Sequence, residues 1–330
     1  MSGTRKVLRL LVGVGVAGLF GWLVLRQVSY EQLSNAFANV GWGWLGLALL
    51  CFLLGYSARI ERWRRMLARD NAALRWRDCA GPFMGSFAMN NVLPMRAGDI
   101  LRAFAFNDRL GVTSGVVVAT LFVERLLDLL MVVLLLGIAL WVSGVSDSLA
   151  GGVGIWTLAA AGLVIALVLL FPGAFSPLLA WGGRLLSRIS PRIGARVQDE
   201  LLKGVDTLGH LSGKGTMAGL MLWSVLAWTG EGLVFYMCAK ALASLAVAAA
   251  AWLALPLGTL ATLLPGTPGY VGTFDYFVVR AMTAMGNGVA ESTVYALLVH
   301  FMLWLPPTVI GGLFLMTRSM RGKPSSEDRK

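Results

Sequence analysis

Residues 90–104 read NNVLPMRAGDILRAF. A proline, a glycine, two arginines and an aspartate stand together in a chain that is 57% hydrophobic and only 14% charged. Soluble domains carry about 25% charged residues. Proline frees backbone groups from a helix, and the charges demand partners. Lipid satisfies neither. How this stretch is accommodated decides the fold.

Around it lie apolar runs of helix-spanning length. A run of about 20 apolar residues crosses a hydrocarbon core of roughly 30 Å. Helices satisfy their own backbone in lipid, so the class is an all-α polytopic membrane protein. Six full crossings are expected, near 7–25, 42–58, 113–141, 153–171, 217–241 and 290–316. Pro306-Pro307 should kink the last. The first follows Arg5, Lys6 and Arg9 and lacks a small-residue cleavage site, so it reads as a retained helix.

Two further apolar stretches end in breaks instead of loops. One runs from Cys79 to the break at Pro94. The other runs from Ala246 to "PGTPGYVG", residues 265–272. Each is followed by a short helix carrying an aspartate, Asp99 or Asp275. The expectation is two re-entrant hairpins, 79–110 and 246–285. Irregular backbone is tolerated at membrane depth where it lines a cavity. Each half then has three crossings and one hairpin, at 1–145 and 150–320. Because three is odd, the second half is inverted relative to the first, a layout common in transporters. Residues 321–330 read as a disordered tail.

Charge supports this count. The net charge is +11, and the arginines gather in segments on one side, around 59–77, 174–214 and 318–323. That bias places both termini in the cytoplasm of a multi-pass inner-membrane protein. It also explains the basic balance without nucleic acid. Segment 174–214 reads as a basic surface region on anionic lipid. Trp residues, among them Trp42, Trp141, Trp228 and Trp304, read mostly as interface anchors near helix ends.

A charge at the centre of a spanning helix costs about 2.5–3.5 kcal/mol. The third crossing carries three: Glu124, Arg125 and Asp128. Glu124 and Asp128 share a face, and Arg125 and Asp128 are spaced to pair. The triplet leaves one net negative charge, for which Arg96 is the expected partner. Glu231 and His300 also fall mid-helix, and intramembrane ionisable residues mark transport paths and proton relays. Glu124, Asp128, Glu231 and His300 are therefore the candidates for proton or ion coupling. "GTPGYVG" has no strand before it and no GK[ST] after it, so a nucleotide site is not expected. No cofactor or metal is expected either, since only His210 and His300 are available and the three cysteines are scattered.

Four stretches together carry a family resemblance: ARIERWRRML (58–67), NNVLPMRAGDILRAF (90–104), ATLFVERLLDLL (119–130) and LLPGTPGYVGTFD (263–275). With them the chain resembles the lysylphosphatidylglycerol synthase transmembrane family, the flippase-like UPF0104 proteins. Asp99 and Asp275 stand where that family more often has glutamate. The resemblance implies a lipid-translocating domain with two re-entrant helices. Carried over by motif, Arg96, Asp99, Arg102, Arg125, Gly266, Gly269 and Asp275 are the substrate-binding candidates, beside Glu124 and Asp128. Larger relatives fuse this domain to a soluble aminoacyl-transferase. Here the sequence ends soon after the sixth crossing, so transport is expected in preference to catalysis.

The leading expectation is a flippase for a lipid with an anionic or sugar-bearing headgroup. Membrane lipids are the expected partners, with a homo-oligomer or a cytoplasmic partner also compatible. The alternatives are an integral-membrane lipid-modifying enzyme, or a scaffold whose basic segments recruit a cytoplasmic protein.

Overall fold

The computed structural model describes residues 40–93, 96–144, 154–171, 209, 213–263 and 268–320. The expected crossing at 7–25, most of the basic segment 174–214, the tail 321–330, and Pro94, Pro265 and Gly266 lie outside the described residues. Among those described, the only β contact is an isolated antiparallel bridge between Val40 and Leu242.

Ten α-helices follow in chain order among the described residues. They are α1 (Trp42–Leu67), α2 (Trp76–Val92), α3 (Ala97–Phe104), α4 (Asn107–Leu110) and α5 (Ser114–Ser143). Then come α6 (Ile155–Leu170), α7 (Lys214–Ala241), α8 (Ala251–Ala261), α9 (Thr273–Ala284) and α10 (Val289–Met320). Four of them, α1, α5, α7 and α10, are long and apolar enough to cross a membrane. Their outward leucines support that environment: Leu50 and Leu54 of α1 are 51% and 61% exposed, a stripe that water would penalise and lipid accepts.

Two expected boundaries are corrected. The crossing expected to end near residue 58 runs on as helix to Leu67, because Arg59 and Arg62 find carboxylates inside the protein. The fourth expected crossing, 153–171, is a described helix of 16 residues, short of the roughly 20 a span requires. It lies along α5. Local signals set the ends of α5: the Thr113 side chain accepts the Val116 N–H, and Gly144 closes the helix in the left-handed region at φ 66°. α10 runs as one helix through Pro306 and Pro307.

α1 and α7 pack antiparallel along their lengths. The Gly41 N–H donates to the Ala241 carbonyl at one end, and the Arg65 guanidinium covers the Trp223 ring near the other. Between them Gly55 meets Gly230 so closely that a Cβ on Gly230 would lie 2.8 Å from the Gly55 Cα. Small residues at a helix crossing let the backbones touch.

Each Pro/Gly break joins two helices that fold back on each other. In the first, Asn90 of α2 clasps the start of α3. Its Oδ1 accepts the Gly98 N–H at 2.8 Å, and its Nδ2 donates to Asp99 at 3.0 Å. Gly98 is required there, since a Cβ would fall 1.8 Å from the Ser86 carbonyl oxygen. In the second, α8 packs on α9, with Gly258 against Phe274 and Val278. α2 also lies along α10 and α8 along α5. Each broken pair thus leans on the long helix of the other half of the chain.

Candidate functional site

A half-open cavity of about 310 Å³ lies where the two broken pairs meet α1, α5, α7 and α10. Its apolar wall includes Leu129, Val132, Leu260, Leu263 and Leu303, and its aromatic wall Tyr56, Trp228, Tyr270 and Trp304. Into it face the ionisable side chains of Arg59, Arg96, Arg125, Asp128, Glu231 and His300. Trp228 and Trp304 are therefore cavity residues and not the interface anchors expected from sequence.

The three charges of α5 take three different partners. Arg102 donates to both Glu124 oxygens, at 3.0 and 3.2 Å, with side chains 0% and 2% exposed. The Arg102 guanidinium also lies 5.0 Å from the Trp63 ring centre and 4.8 Å from that of Phe83, which offsets part of its desolvation. Arg125 pairs with Asp99 at 2.7 Å and stays 37% exposed. Asp128 accepts from Arg62 at 2.9 Å and from the Trp228 indole at 3.1 Å, with Arg59 at 3.5 Å. Arg59 in turn is paired with Glu231, and its guanidinium lies 4.8 Å from the Trp228 ring centre. Arg62 also donates to Ser224 at 2.8 Å.

This arrangement corrects two expectations. Arg125 does not pair with Asp128, and the triplet is not balanced by Arg96. The cations come instead from α1 and α3. Their origin follows from helix geometry: Arg59 and Arg62 are three apart and so share a face of α1.

Arg96 is placed differently. Its Nε donates to the Tyr270 hydroxyl at 2.9 Å, and an Nη to the Thr262 carbonyl at 3.4 Å. Among the described residues it has no carboxylate within 4 Å, unlike the other arginines lining the cavity, Arg59 and Arg125. Arg96 and Tyr270 are also the only described non-glycine residues with positive φ, at 52° and 60°. Each such residue costs about 1–2 kcal/mol. The two backbone breaks therefore touch through their two strained residues, and a cation with no counter-ion among the described residues sits at that contact.

The second half of the chain carries a pair matching Arg125–Asp99. Asp275 is the third residue of α9, as Asp99 is of α3. His300 lies 25 residues beyond Asp275, and Arg125 lies 26 beyond Asp99. The His300 Nδ1 is 2.8 Å from Asp275 Oδ1, and its Nε2 is 2.9 Å from the Gly269 carbonyl oxygen. The other Asp275 oxygen accepts the Gly272 N–H at 2.8 Å. His300 is thus partnered on both ring nitrogens.

Of the residues singled out by sequence, Arg96, Arg125, Asp128, Glu231, Gly269 and His300 line the cavity. Asp99 and Asp275 stand one step behind, holding Arg125 and His300. Arg102 and Glu124 are paired with each other behind it, buried and outside its lining. Gly266 is outside the described residues. Sequence reading missed Arg59, Arg62, Tyr270 and Trp228 as parts of the site. Arg59 and Arg62 were hidden in a basic run that resembles a cytoplasmic loop, and the aromatics carried no distinguishing spacing.

No curated protein sequence matches the chain. A family model described as the lysylphosphatidylglycerol synthase TM region matches residues 10–311, nearly the whole length. Together with four helices of crossing length, this makes the chain a multi-pass membrane protein of a family tied to lipid metabolism or transport, and it belongs to the lysylphosphatidylglycerol synthase TM region family.

Proposed function

We propose that the chain is a flippase-type lipid transporter. It moves a lipid with an anionic or sugar-bearing headgroup, such as a phospholipid, glycolipid or polyprenyl-phosphate lipid, between leaflets of the inner membrane by alternating access. The observation that carries this reading is the half-open cavity holding Arg96, a cation with no carboxylate partner among the described residues, beside an apolar wall. In this reading α2–α3 and α8–α9 are re-entrant hairpins and the halves form an inverted repeat with both termini cytoplasmic. The antiparallel α1 and α7 and the matched Asp99–Arg125 and Asp275–His300 pairs support it.

The headgroup phosphate binds Arg96, with Arg125 as the second donor. A guanidinium suits phosphate because its planar fork donates two parallel bonds. Asn90, Asn91 and Thr259 line the same cavity and offer neutral donors and acceptors to headgroup hydroxyls. The acyl chains leave through the open side into lipid, so only the polar part needs shelter. Asp128 and Glu231 hold Arg59 neutralised, which leaves Arg96 as the dominant attraction for an anion.

The test is reconstitution. Purified protein in liposomes should carry a headgroup-labelled fluorescent phospholipid to the inner leaflet, measured by its protection from an impermeant quencher. Arg125→Ala should reduce the rate about tenfold or more, since charge-assisted hydrogen bonds are worth roughly 1.5–3 kcal/mol. The family's description names a synthase, which favours a second reading, a lipid-modifying enzyme. Mass spectrometry of the same vesicles separates the two: a new lipid product without leaflet exchange would replace the transport reading.

A further inference from the structure

The pair formed by His300 and Asp275 differs from its counterpart in one chemical respect. Arg125 is charged at every accessible pH, whereas an imidazole discharges near neutrality. We propose that His300 and Asp275 form the proton-binding site that couples lipid movement to a proton gradient. The inference rests on the transport reading and adds its energy source.

The hydrogen bonds fix the proton count. The Gly269 carbonyl can only accept, so Nε2 must carry a proton. The 2.8 Å contact between Nδ1 and Asp275 Oδ1 then needs a second proton, on either atom. Whichever atom holds it, the pair contains one proton more than aspartate plus neutral imidazole. When that proton leaves, two lone pairs face each other across one of the contacts, and one partner must move. Asp275 is 1% exposed and fixed by the Gly272 N–H at the start of α9. The Gly269 carbonyl belongs to a short turn, with Gly269 at φ 67° and Tyr270 at φ 60°. The turn is therefore the part that gives way.

Tyr270 carries the consequence to the substrate, because its hydroxyl holds Arg96. Protonation keeps the turn closed and Arg96 in place. Loss of the proton to the opposite side frees the turn and with it the phosphate-binding cation. One proton binds and one is released per cycle, with no covalent step. His300 contacts Asp275 of α9 and shares the cavity lining with Tyr270 of the turn and Glu231 of α7. Across the cavity are Tyr56 and Arg59 of α1, Arg96, and Arg125 and Asp128 of α5, while α2 contributes only Asn90 and Asn91 among polar groups. Asp128 and Glu231 are already engaged by arginines. His300–Asp275 is thus the cavity's pair able to exchange a proton without stranding an arginine.

The experiment uses the full chain in liposomes containing a headgroup-labelled phospholipid, with an imposed pH gradient. Coupling of one proton to one lipid lets a gradient of one pH unit drive up to about a tenfold leaflet imbalance. The expected result is an imbalance that reverses with the gradient and is lost in His300→Gln. Lipid that moves equally under every gradient overturns the coupling and leaves the transport reading standing. No lipid movement under any condition overturns both. Should His300→Gln fail to fold, ¹⁵N-histidine spectra of the wild type decide, since the chain has only two histidines and His210→Gln assigns them. A His300 signal that changes between about pH 5 and 10 supports the proposal; a signal that stays constant over that range overturns it.

Discussion

Replacing Arg102 by methionine isolates the energetics of the buried pair behind the cavity. The methionine keeps much of the volume between Trp63 and Phe83 but removes both hydrogen bonds to Glu124. Glu124 is then left 2% exposed with no cation. Breaking a buried pair on one side costs about 3–5 kcal/mol, because a charge is stranded. Loss of the two ring contacts adds about 0.5–2 kcal/mol. A destabilisation of roughly 3.5–7 kcal/mol is expected for Arg102→Met. The double variant Arg102→Met with Glu124→Leu strands nothing, and an apolar replacement of a buried pair is often close to neutral. It should recover at least about 2 kcal/mol over the single variant. The assay is unfolding in mixed detergent micelles followed by circular dichroism, with all four members of the cycle. Because neither side chain lines the cavity, the double variant should also keep lipid transport. A single variant that costs under about 1 kcal/mol would refute the reasoning, as would a double variant no more stable than the single.

Two further substitutions probe the breaks. Arg96→Gly removes a left-handed strain of about 1–2 kcal/mol and also the hydrogen bonds to Tyr270 and the Thr262 carbonyl, each worth about 0.5–1.5 kcal/mol or more, so the unfolding free energy should stay within about 2 kcal/mol of the wild type. The same change removes the unpaired cation, and binding of an anionic lipid, measured by native mass spectrometry, should weaken about tenfold or more. Gly98→Ala places a Cβ 1.8 Å from the Ser86 carbonyl. It should destabilise the α2–α3 contact by about 1–3 kcal/mol in the same micelle assay, with lipid transport falling alongside.

What could be read from the sequence was set by how locally each feature is encoded. The apolar runs and the charge bias are one-dimensional signals, and they identify α1, α5, α7 and α10 as crossing-length helices. The breaks at Pro94 and Pro265 are equally local. The end of α1 is not: whether Arg59 and Arg62 mark a loop or a buried helix depends on Asp128 and Glu231, far away in the chain. For the same reason the partner of Glu124 could not be found by spacing along α5. Glu124 and Asp128 share a helix face, yet one meets Arg102 and the other Arg62. The resemblance of the halves was visible as layout. The matching of Asp99–Arg125 with Asp275–His300 needed distances, because the two cations differ in kind.

The touching glycines of α1 and α7 have a mechanical consequence. With no side chains between them, Gly55 and Gly230 bring the two helix axes together, and the Gly41–Ala241 hydrogen bond pins the same pair at its end. Arg59 lies one helical turn from Gly55, and Glu231 is adjacent to Gly230, so their ion pair is held beside the point of closest approach. The costliest charges thus sit where the two backbones have least room to part.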